Sequence, residues 1–383
     1  MNQLESKARI ASDEETGDLD PEVRHLYVHI PFCPKVCPYC SFYKEASDRN
    51  RTQAFLDAVL SEADAAAPVH PKTIFFGGGT PSALSTRQLS YLITGLRERL
   101  DLGNLREWTL EMNPATVSEE KAGLLRSLGI NRISMGVQAW QSELLHRLGR
   151  VHSAAQALRS YEILRSAGFD NVNLDLIFGI PGQTAEQWEE TLLQTIELGP
   201  EHISAYCLTY EEDTDYFLRF SSGEFVQDAT HDAALFERTM DVLERYGYAQ
   251  YEISNYARPG KECLHNLAYW MGLDYLGLGP SAFSTVADRR WQNVPNTTKY
   301  IGQIRQSGTA HAFSEVISAR IHRAEKIAFG LRTNRGIREE LVEPWSENIR
   351  DLLSEGYVER KAGNIKLSRA GRMVADAIGE IFV

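Results

Sequence analysis

The sequence predicts an α/β protein built from parallel strand–helix–strand units. Three observations predict it. Short apolar stretches of strand length alternate with longer stretches of helical period from residue 26 to residue 208. Six such strands interleaved with helices fit right-handed βαβ crossovers. Glycines and polar residues gather just beyond the strands' C-terminal ends, where this architecture places functional groups. Units of this kind close into a full or partial barrel, or stay open and doubly wound.

Taken in order, residues 1–24 are polar and acidic and read as a poorly ordered lead-in. Residues 26–30 form the first expected strand. A cysteine-rich loop follows, then a helix over 51–67. The second strand, 73–76, runs into Gly77-Gly78-Gly79-Thr80-Pro81. Leu89, Leu92 and Leu96 set a helical period within 86–100. The third strand is 107–111. Ser118 is an N-cap, with Leu124, Leu125 and Leu128 on one face of its helix. Strands at 132–136 and 171–178 flank a helix at 153–167. Thr184 and Gln187 make a capping box for the next helix. Residues 202–208 are the sixth strand.

Beyond Tyr210 the pattern is less regular, with a helix over 231–246. From about Ala310 the character changes again. Helices near 320–330 and 345–355 precede a hairpin, 357–360 with 364–367, turning at Ala362-Gly363. A last helix follows Ser368. Helices followed by a two-stranded wing resemble a winged-helix module. Arg360, Lys361, Lys366, Arg369 and Arg372 would suit DNA; a packing or lid domain is the plainer reading. The expected division is a tail over 1–24, a main domain over 25–305 and a C-terminal domain over 306–383.

Composition narrows the class. A hydrophobic share of 43% is ordinary for a soluble globular chain. No apolar run approaches the roughly 18 residues needed to span a bilayer, so stable membrane insertion is not expected. The N-terminus lacks a signal-peptide core, which points to the cytoplasm. A net charge of −12 disfavours nucleic acid as a partner. Five cysteines, three of them clustered, argue against a disulfide scaffold.

The three clustered cysteines are Cys33, Cys37 and Cys40, spaced C-x3-C-x2-C. Thiolates are soft ligands that suit zinc, copper(I) or iron–sulfur clusters. A closed structural zinc site wants four ligands, usually from two paired units. Three thiolates on one short loop suit a [4Fe–4S] cluster with one iron left free. Other residues end or interrupt strands in a suggestive way. Gly78 and Gly79 let backbone approach a ligand closely; one glycine would serve a tight turn, but three in a row exceed that need. Glu111 ends a strand, where a carboxylate is also common as a solvated terminus. Asp175 sits among Leu174, Leu176 and Ile177, where a carboxylate is costly without a partner. Arg150 can grip a carboxylate with two prongs, or pass as a surface charge.

The loop resembles the radical S-adenosylmethionine (SAM) superfamily. Its entry, Tyr27-Val28-His29-Ile30-Pro31-Phe32-Cys33, is similar to that of the oxygen-independent coproporphyrinogen oxidase family. The resemblance implies a partial (β/α)6 barrel with a small C-terminal winged-helix-like domain. It implies a [4Fe–4S] cluster on Cys33, Cys37 and Cys40, with SAM on the open iron. It assigns the SAM site to Gly78, Gly79, Thr80, Glu111, Gln138 and Arg150. Asp175 joins them by its costly setting, and Tyr27 and Tyr39 as aromatics able to stack or hydrogen-bond at the ligand's edge, ordinary core aromatics being the alternative. The implied chemistry is one-electron cleavage of the sulfonium to methionine and a 5′-deoxyadenosyl radical, with the protein positioning the cofactors and excluding water.

Within that family two branches differ. The oxidases carry a fourth cysteine two positions after the third; here that position is Phe42. The heme-chaperone branch, HemW, lacks it and carries H-N-x-x-Y-W, which His265-Asn266-Leu267-Ala268-Tyr269-Trp270 matches. In this branch His265 is the expected heme ligand, and Tyr269 and Trp270 are expected to cover the macrocycle. A histidine that often follows Gly-Pro-Ser-Ala is replaced here by Phe283, so no second ligand is assigned. The expected function is heme binding and delivery to acceptor proteins; the alternative is anaerobic oxidative decarboxylation of coproporphyrinogen III.

Overall fold

The computed structural model describes residues 23–46, 48–66 and 69–383. The expected lead-in, but for its last two residues, lies outside the described residues. Six strands lie side by side in chain order, all parallel: β1 (His25–Ile30), β2 (Thr73–Gly78), β3 (Glu107–Met112), β4 (Arg132–Gln138), β5 (Val172–Phe178) and β6 (His202–Cys207). The crossovers carry α1 (Arg49–Ala66), α2 (Thr86–Arg99), α3 (Glu119–Ser127), α4 (Ala154–Ser166) and α5 (Ala185–Leu198). This is an α/β fold with the six expected strand–helix units.

Alternation along the strands explains which face goes where. Successive side chains point to opposite faces of a sheet. Leu26, Val28, Ile30, Ile74, Phe76, Trp108, Leu110, Ile133, Met135, Leu174 and Leu176 are all buried in the main core with the helices. Each fully buried large side chain contributes about 1.5–3 kcal/mol relative to exposure. The opposite face reads Tyr27 and His29, Thr73 and Phe75, Glu107, Thr109 and Glu111, Arg132 and Ser134, Asn173 and Asp175, Ser204 and Tyr206. It is polar where the other is oily, so the strands enclose a hydrophilic interior.

The helices begin where the sequence says they should. Ser85 with Gln88, Ser153 with Gln156, and Thr184 with Gln187 each form a capping box, and Ser118 accepts from the Lys121 amide. After β6 and α6 (Ala229–Arg245), β7 (Asn255–Ala257) returns antiparallel on β6, with Ala249–Gln250 beyond it. The chain then forms α7 (Leu264–Trp270) and reaches the opposite edge, where β8 (Leu276–Leu278) pairs parallel with β1. Sequence reading did not find β8: three residues, Leu-Gly-Leu, are too few to carry a period.

A separate antiparallel sheet joins Phe283–Val286, Arg289–Asn293 and His311–Val316. The expected boundary at 305/306 falls inside this unit, because His311–Val316 pairs with Arg289–Asn293 across α8 (Thr297–Ser307). We place the division near Ser318, the N-cap of α9 (Ala319–Leu331). The C-terminal module holds a three-stranded sheet, Ile337–Arg338, Asn364–Leu367 and Val358–Lys361, over its own buried cluster that includes Ile327, Leu331, Val358 and Ile365. Four of the five basic residues named above have partners: Arg360 with Glu339 at 2.9 Å, Lys366 with Glu359 at 2.8 Å, Arg369 with Asp241 at 2.7 Å and Arg372 with Gln250 at 2.7 Å. The last two fasten the module to α6 and to the Ala249–Gln250 edge, which favours packing over an open basic face. Among the described residues no helix is long and apolar enough to cross a membrane.

Candidate functional site: a polar interior between a cysteine loop and a seven-residue helix

The strands end at the cysteine loop. The amide of Gly79 donates to the Ile30 carbonyl and that of Thr80 to the Phe32 carbonyl, both at 2.9 Å. A Cβ on Gly79 would lie 2.6 Å from the Pro31 carbonyl carbon, so only glycine allows this close lacing. Gly78 has φ +102°, and a Cβ there would meet the His29 ring at 2.4 Å. His29 in turn meets the Tyr43 carbonyl at 2.8 Å and pins the loop's far end. The three glycines therefore do what a tight turn alone would not require: they let the loop lie flat on the strand ends.

Cys33 is buried, and its Sγ lies 3.3 Å from Thr80 Oγ1. Cys37 and Cys40 are half-buried. Arg150 spans the neighbourhood, with Nη1 3.6 Å from Cys37 Sγ and Nη2 donating to the Gly136 carbonyl at 2.8 Å. The Lys44 ammonium donates to the carbonyls of Cys40 and Phe42. Burial pushes the Cys33 and Cys40 thiols up, and the neighbouring thiols add to the rise. A closed zinc site wants four donors around one point, and the loop offers three thiolates. A cubane with one open iron takes three, each on a different iron, so the donor set fits the cluster better than the ion.

A cavity of about 300 Å³ lies inside the strands, below the loop. Tyr27, Gly78, Glu111 and Asp175 line it, with Phe42 at the loop side. Asp175 has the partners its setting demands: Ser134 Oγ at 3.0 Å and Asn173 Nδ2 at 2.8 Å. Burial raises its carboxyl above the ordinary range. Burial and the nearby Asp175 push Glu111 up to about 8, while the Gly78 amide and Arg132 act the other way. Two acids thus face one enclosed space and resist joint ionisation.

Six of the expected cofactor residues do not line the cavity. Gly79 and Thr80 lace the loop to the strand ends, His265 lies behind Tyr269, and Tyr39, Gln138 and Arg150 cluster beside Cys37 and Gly136. Tyr39 packs on Tyr216 at 6.2 Å, and Arg150 lowers what burial would otherwise raise in its phenol. Gln138 adopts φ 71° at an irregularity in the β4–β5 ladder, which aims its side chain back over Gly136. A non-glycine residue held there costs on the order of 1–3 kcal/mol and is kept only where its surroundings fix it.

The floor of the cavity is α7. Glu107, at the start of β3, accepts from the Leu264 and His265 amides at 2.9 and 3.0 Å, and so caps the helix with negative charge. His265 is buried, with Nδ1 2.7 Å from Thr73 Oγ1 and Nε2 3.1 Å from the Tyr269 hydroxyl. Its ring stacks on Phe75 at 5.2 Å. Burial drives its pKa well below the usual histidine value, with His25 and Arg132 adding to the fall, so the ring is neutral. Both nitrogens are engaged, and in this conformation the imidazole offers no free lone pair to an iron outside. In this conformation His265 is held between Thr73 and Tyr269.

Sequence reading missed Arg132, Ser134, Asn173, Ser204, Tyr206 and Asn266, all of which line the cavity. A signal was present. Arg132 and Ser134, Asn173 and Asp175, Ser204 and Tyr206 are polar pairs at a spacing of two within otherwise apolar strands, which places each pair on one face. Arg132 is fully buried, and its Nε has no hydrogen-bond partner among the described residues. Glu107 and Asp175 balance its charge.

A family model described as the radical SAM superfamily matches residues 27–194. The heme chaperone HemW of Lactococcus lactis subsp. lactis (strain IL1403) is 33% identical over 368 residues, covering 93% of this chain and 96% of that protein. HemW of Bacillus subtilis (strain 168) is 32% identical, covering 94% and 99%, and that of Escherichia coli (strain K12) is 34% identical, covering 94% and 97%. Among solved structures, coproporphyrinogen III oxidase (HemN) from Escherichia coli, described as a radical SAM enzyme, superposes with a TM-score of 0.81 at 26% identity, covering 94% of this chain and 90% of that one. With a cysteine loop laced onto glycine-rich strand ends and near full-length likeness to these relatives, the chain belongs to the radical SAM superfamily, in the family of the heme chaperone HemW.

Proposed function

We propose that this protein binds heme and hands it to acceptor proteins in the cytoplasm, carrying a [4Fe–4S] cluster and SAM. The observation that carries the reading is the replacement of a fourth loop cysteine by Phe42 in a chain that matches proteins named heme chaperones along nearly its whole length. In this reading Cys33, Cys37 and Cys40 hold the cluster, and Thr80 and Arg150 support the thiolates by hydrogen bonding. When bound, a reduced cluster beside SAM supplies one electron to the sulfonium. The chain's own residues do the rest. The open backbone at Gly78 and Gly79 admits SAM closely, Tyr27 offers it a flat side, and Glu111 and Asp175 hold its positive groups. Tyr39, Gln138 and Arg150 fix the loop's outer wall. A cationic guest would draw Glu111 back to its ionised form, since opposite charge favours the carboxylate.

A second reading is kept because of the likeness in shape to coproporphyrinogen III oxidase. Side-by-side anaerobic assays of reconstituted protein separate the two. The carrier reading expects heme binding and no conversion of coproporphyrinogen III. Turnover to protoporphyrinogen would sink it.

A further inference from the structure

The floor of the inner cavity holds a charge that nothing else in the chain grips. Arg132 is 1% exposed and lines the cavity. A guanidinium carries five N–H donors and is always charged. Among the described residues this one makes no hydrogen bond and no ion pair, and its Nε is sealed from solvent as well. Nearby carboxylates balance the charge without taking the donors. Glu107 accepts from the Leu264 and His265 amides, and Asp175 from Ser134 and Asn173. Burying a charge whose hydrogen bonds stay unmade is expensive. A guest in the cavity would complete it. We propose that Arg132 is the seat of a carboxylate, held on its fork at the cavity floor. The assignment stands on the cavity alone and does not need the carrier reading.

Three observations select this guest. The first is charge. Among the described residues Arg132 is the one cationic side chain that lines the cavity, and Glu111 and Asp175 line it too. A doubly charged anion would bring one charge more than the fork can meet, towards two acids. A carboxylate brings a single charge and two coplanar oxygens, which a guanidinium matches in pairs. The second is position. Arg132 precedes Ser134 by two residues on the same face of β4, and Asp175 lies in register with Gly136, two residues further on. The backbone of Arg132 is therefore roughly 13 Å along the strand from the level of Asp175, away from the cysteine loop. A guest on the fork leaves the loop end to SAM. The third is a neutral helper. Asn266 also lines the cavity, and its side-chain amide has no hydrogen-bond partner among the described residues, so it can donate to a second lone pair of the same carboxylate. Two sources offer this chemistry: a free small carboxylic acid, or the carboxylate arm of a larger guest such as a porphyrin. A cavity of about 300 Å³ encloses the first whole and admits an edge of the second.

The test is calorimetric titration of sodium propionate into the anaerobically reconstituted full chain, with propionamide and sodium sulfate at matched ionic strength as controls. A second arm compares hemin with hemin dimethyl ester, whose carboxylates are masked. Arg132→Lys keeps the buried charge but loses one prong of the fork, so it should weaken carboxylate binding about tenfold or more and leave cluster absorbance unchanged. Arg132→Gln is the second variant, should the lysine chain not fold. Binding of propionate but of neither control, weakened in the variant, supports a free acid as the occupant. Tighter binding of hemin than of its ester, with the difference gone in the variant, supports the carboxylate arm of a larger guest. A wild-type chain that neither binds propionate nor separates hemin from its ester would overturn the proposal, as its donors would then meet water only. Equal behaviour of variant and wild type in both arms would also overturn it. If the wild-type chain fails to bind hemin in any form, the carrier reading falls, and the propionate arm still decides the role of Arg132.

Discussion

Replacing Gly79 by alanine should disconnect the cysteine loop from the strands that support it. The added Cβ would lie 2.6 Å from the Pro31 carbonyl carbon, 2.7 Å from its oxygen and 2.8 Å from the Ile30 oxygen. All three are backbone atoms, so no rotamer change can clear them. Restoring ordinary contact requires Pro31 to retreat by about 0.8 Å, and overpacking of this kind costs about 1–3 kcal/mol. The displaced segment leads within two residues to Cys33, whose Sγ is set against Thr80, the residue after the glycine. Two measurements report the outcome: iron and sulfide content after anaerobic reconstitution, and the denaturant midpoint of the unreconstituted chain. Gly79→Ala should lose at least half of its cluster and be less stable by an amount in that range. Gly123→Ala is the control, since its Cβ would meet nothing within 4 Å on an exposed turn of α3. It should gain roughly 0.5–1 kcal/mol from helix propensity and load iron normally. Full cluster loading in Gly79→Ala would refute the idea that loop and glycine run are one mechanical unit.

Two further outcomes follow from other parts of the molecule. Glu62 is buried and accepts from the Gly279 amide at 2.8 Å, Asn293 Nδ2 at 2.6 Å and the Tyr300 hydroxyl at 2.5 Å; burial pushes it up to about 7. A carboxyl raised in the folded state keeps its proton where the unfolded chain has lost it, so stability falls as pH rises from about 4.5 to about 7, by up to about 3 kcal/mol. Glu62→Gln should remove that slope in denaturant titrations at pH 5 and pH 8; an unchanged slope would assign it elsewhere. Arg369→Ala breaks a half-exposed ion pair to Asp241 and should cost under about 1 kcal/mol in thermal unfolding. A much larger loss would mean that the C-terminal module depends on that contact.

How far the sequence could be read depended on whether a residue's neighbours lie along the chain or across it. The six long strands announce themselves because each buries one face under helices and alternates accordingly. Leu276–Leu278 does not, since its partner β1 lies some 250 residues away and its three residues hold a glycine. Thr184 with Gln187 was legible as a capping box because both halves sit within one turn. The residues at strand ends, from Gly78 to Asp175, were legible because α/β folds gather chemistry there. Arg132, Asn173 and Ser204 were not, because their meaning depends on facing one another across three strands. His265 shows the sharpest limit. The motif was visible, but a seven-residue helix has two sides, and only packing against Thr73 and Phe75 decides which one His265 takes. Its bond to Tyr269, four residues on, fits the spacing of one helix face.

Tyr269 lines both the inner cavity and an open groove of about 240 Å³ on the other side of α7. The two compartments are therefore separated, at that point, by the thickness of a single phenol ring. Held by His265 on one face and Tyr275 on the other, that ring is a shared partition, so a change of its size alters both spaces at once.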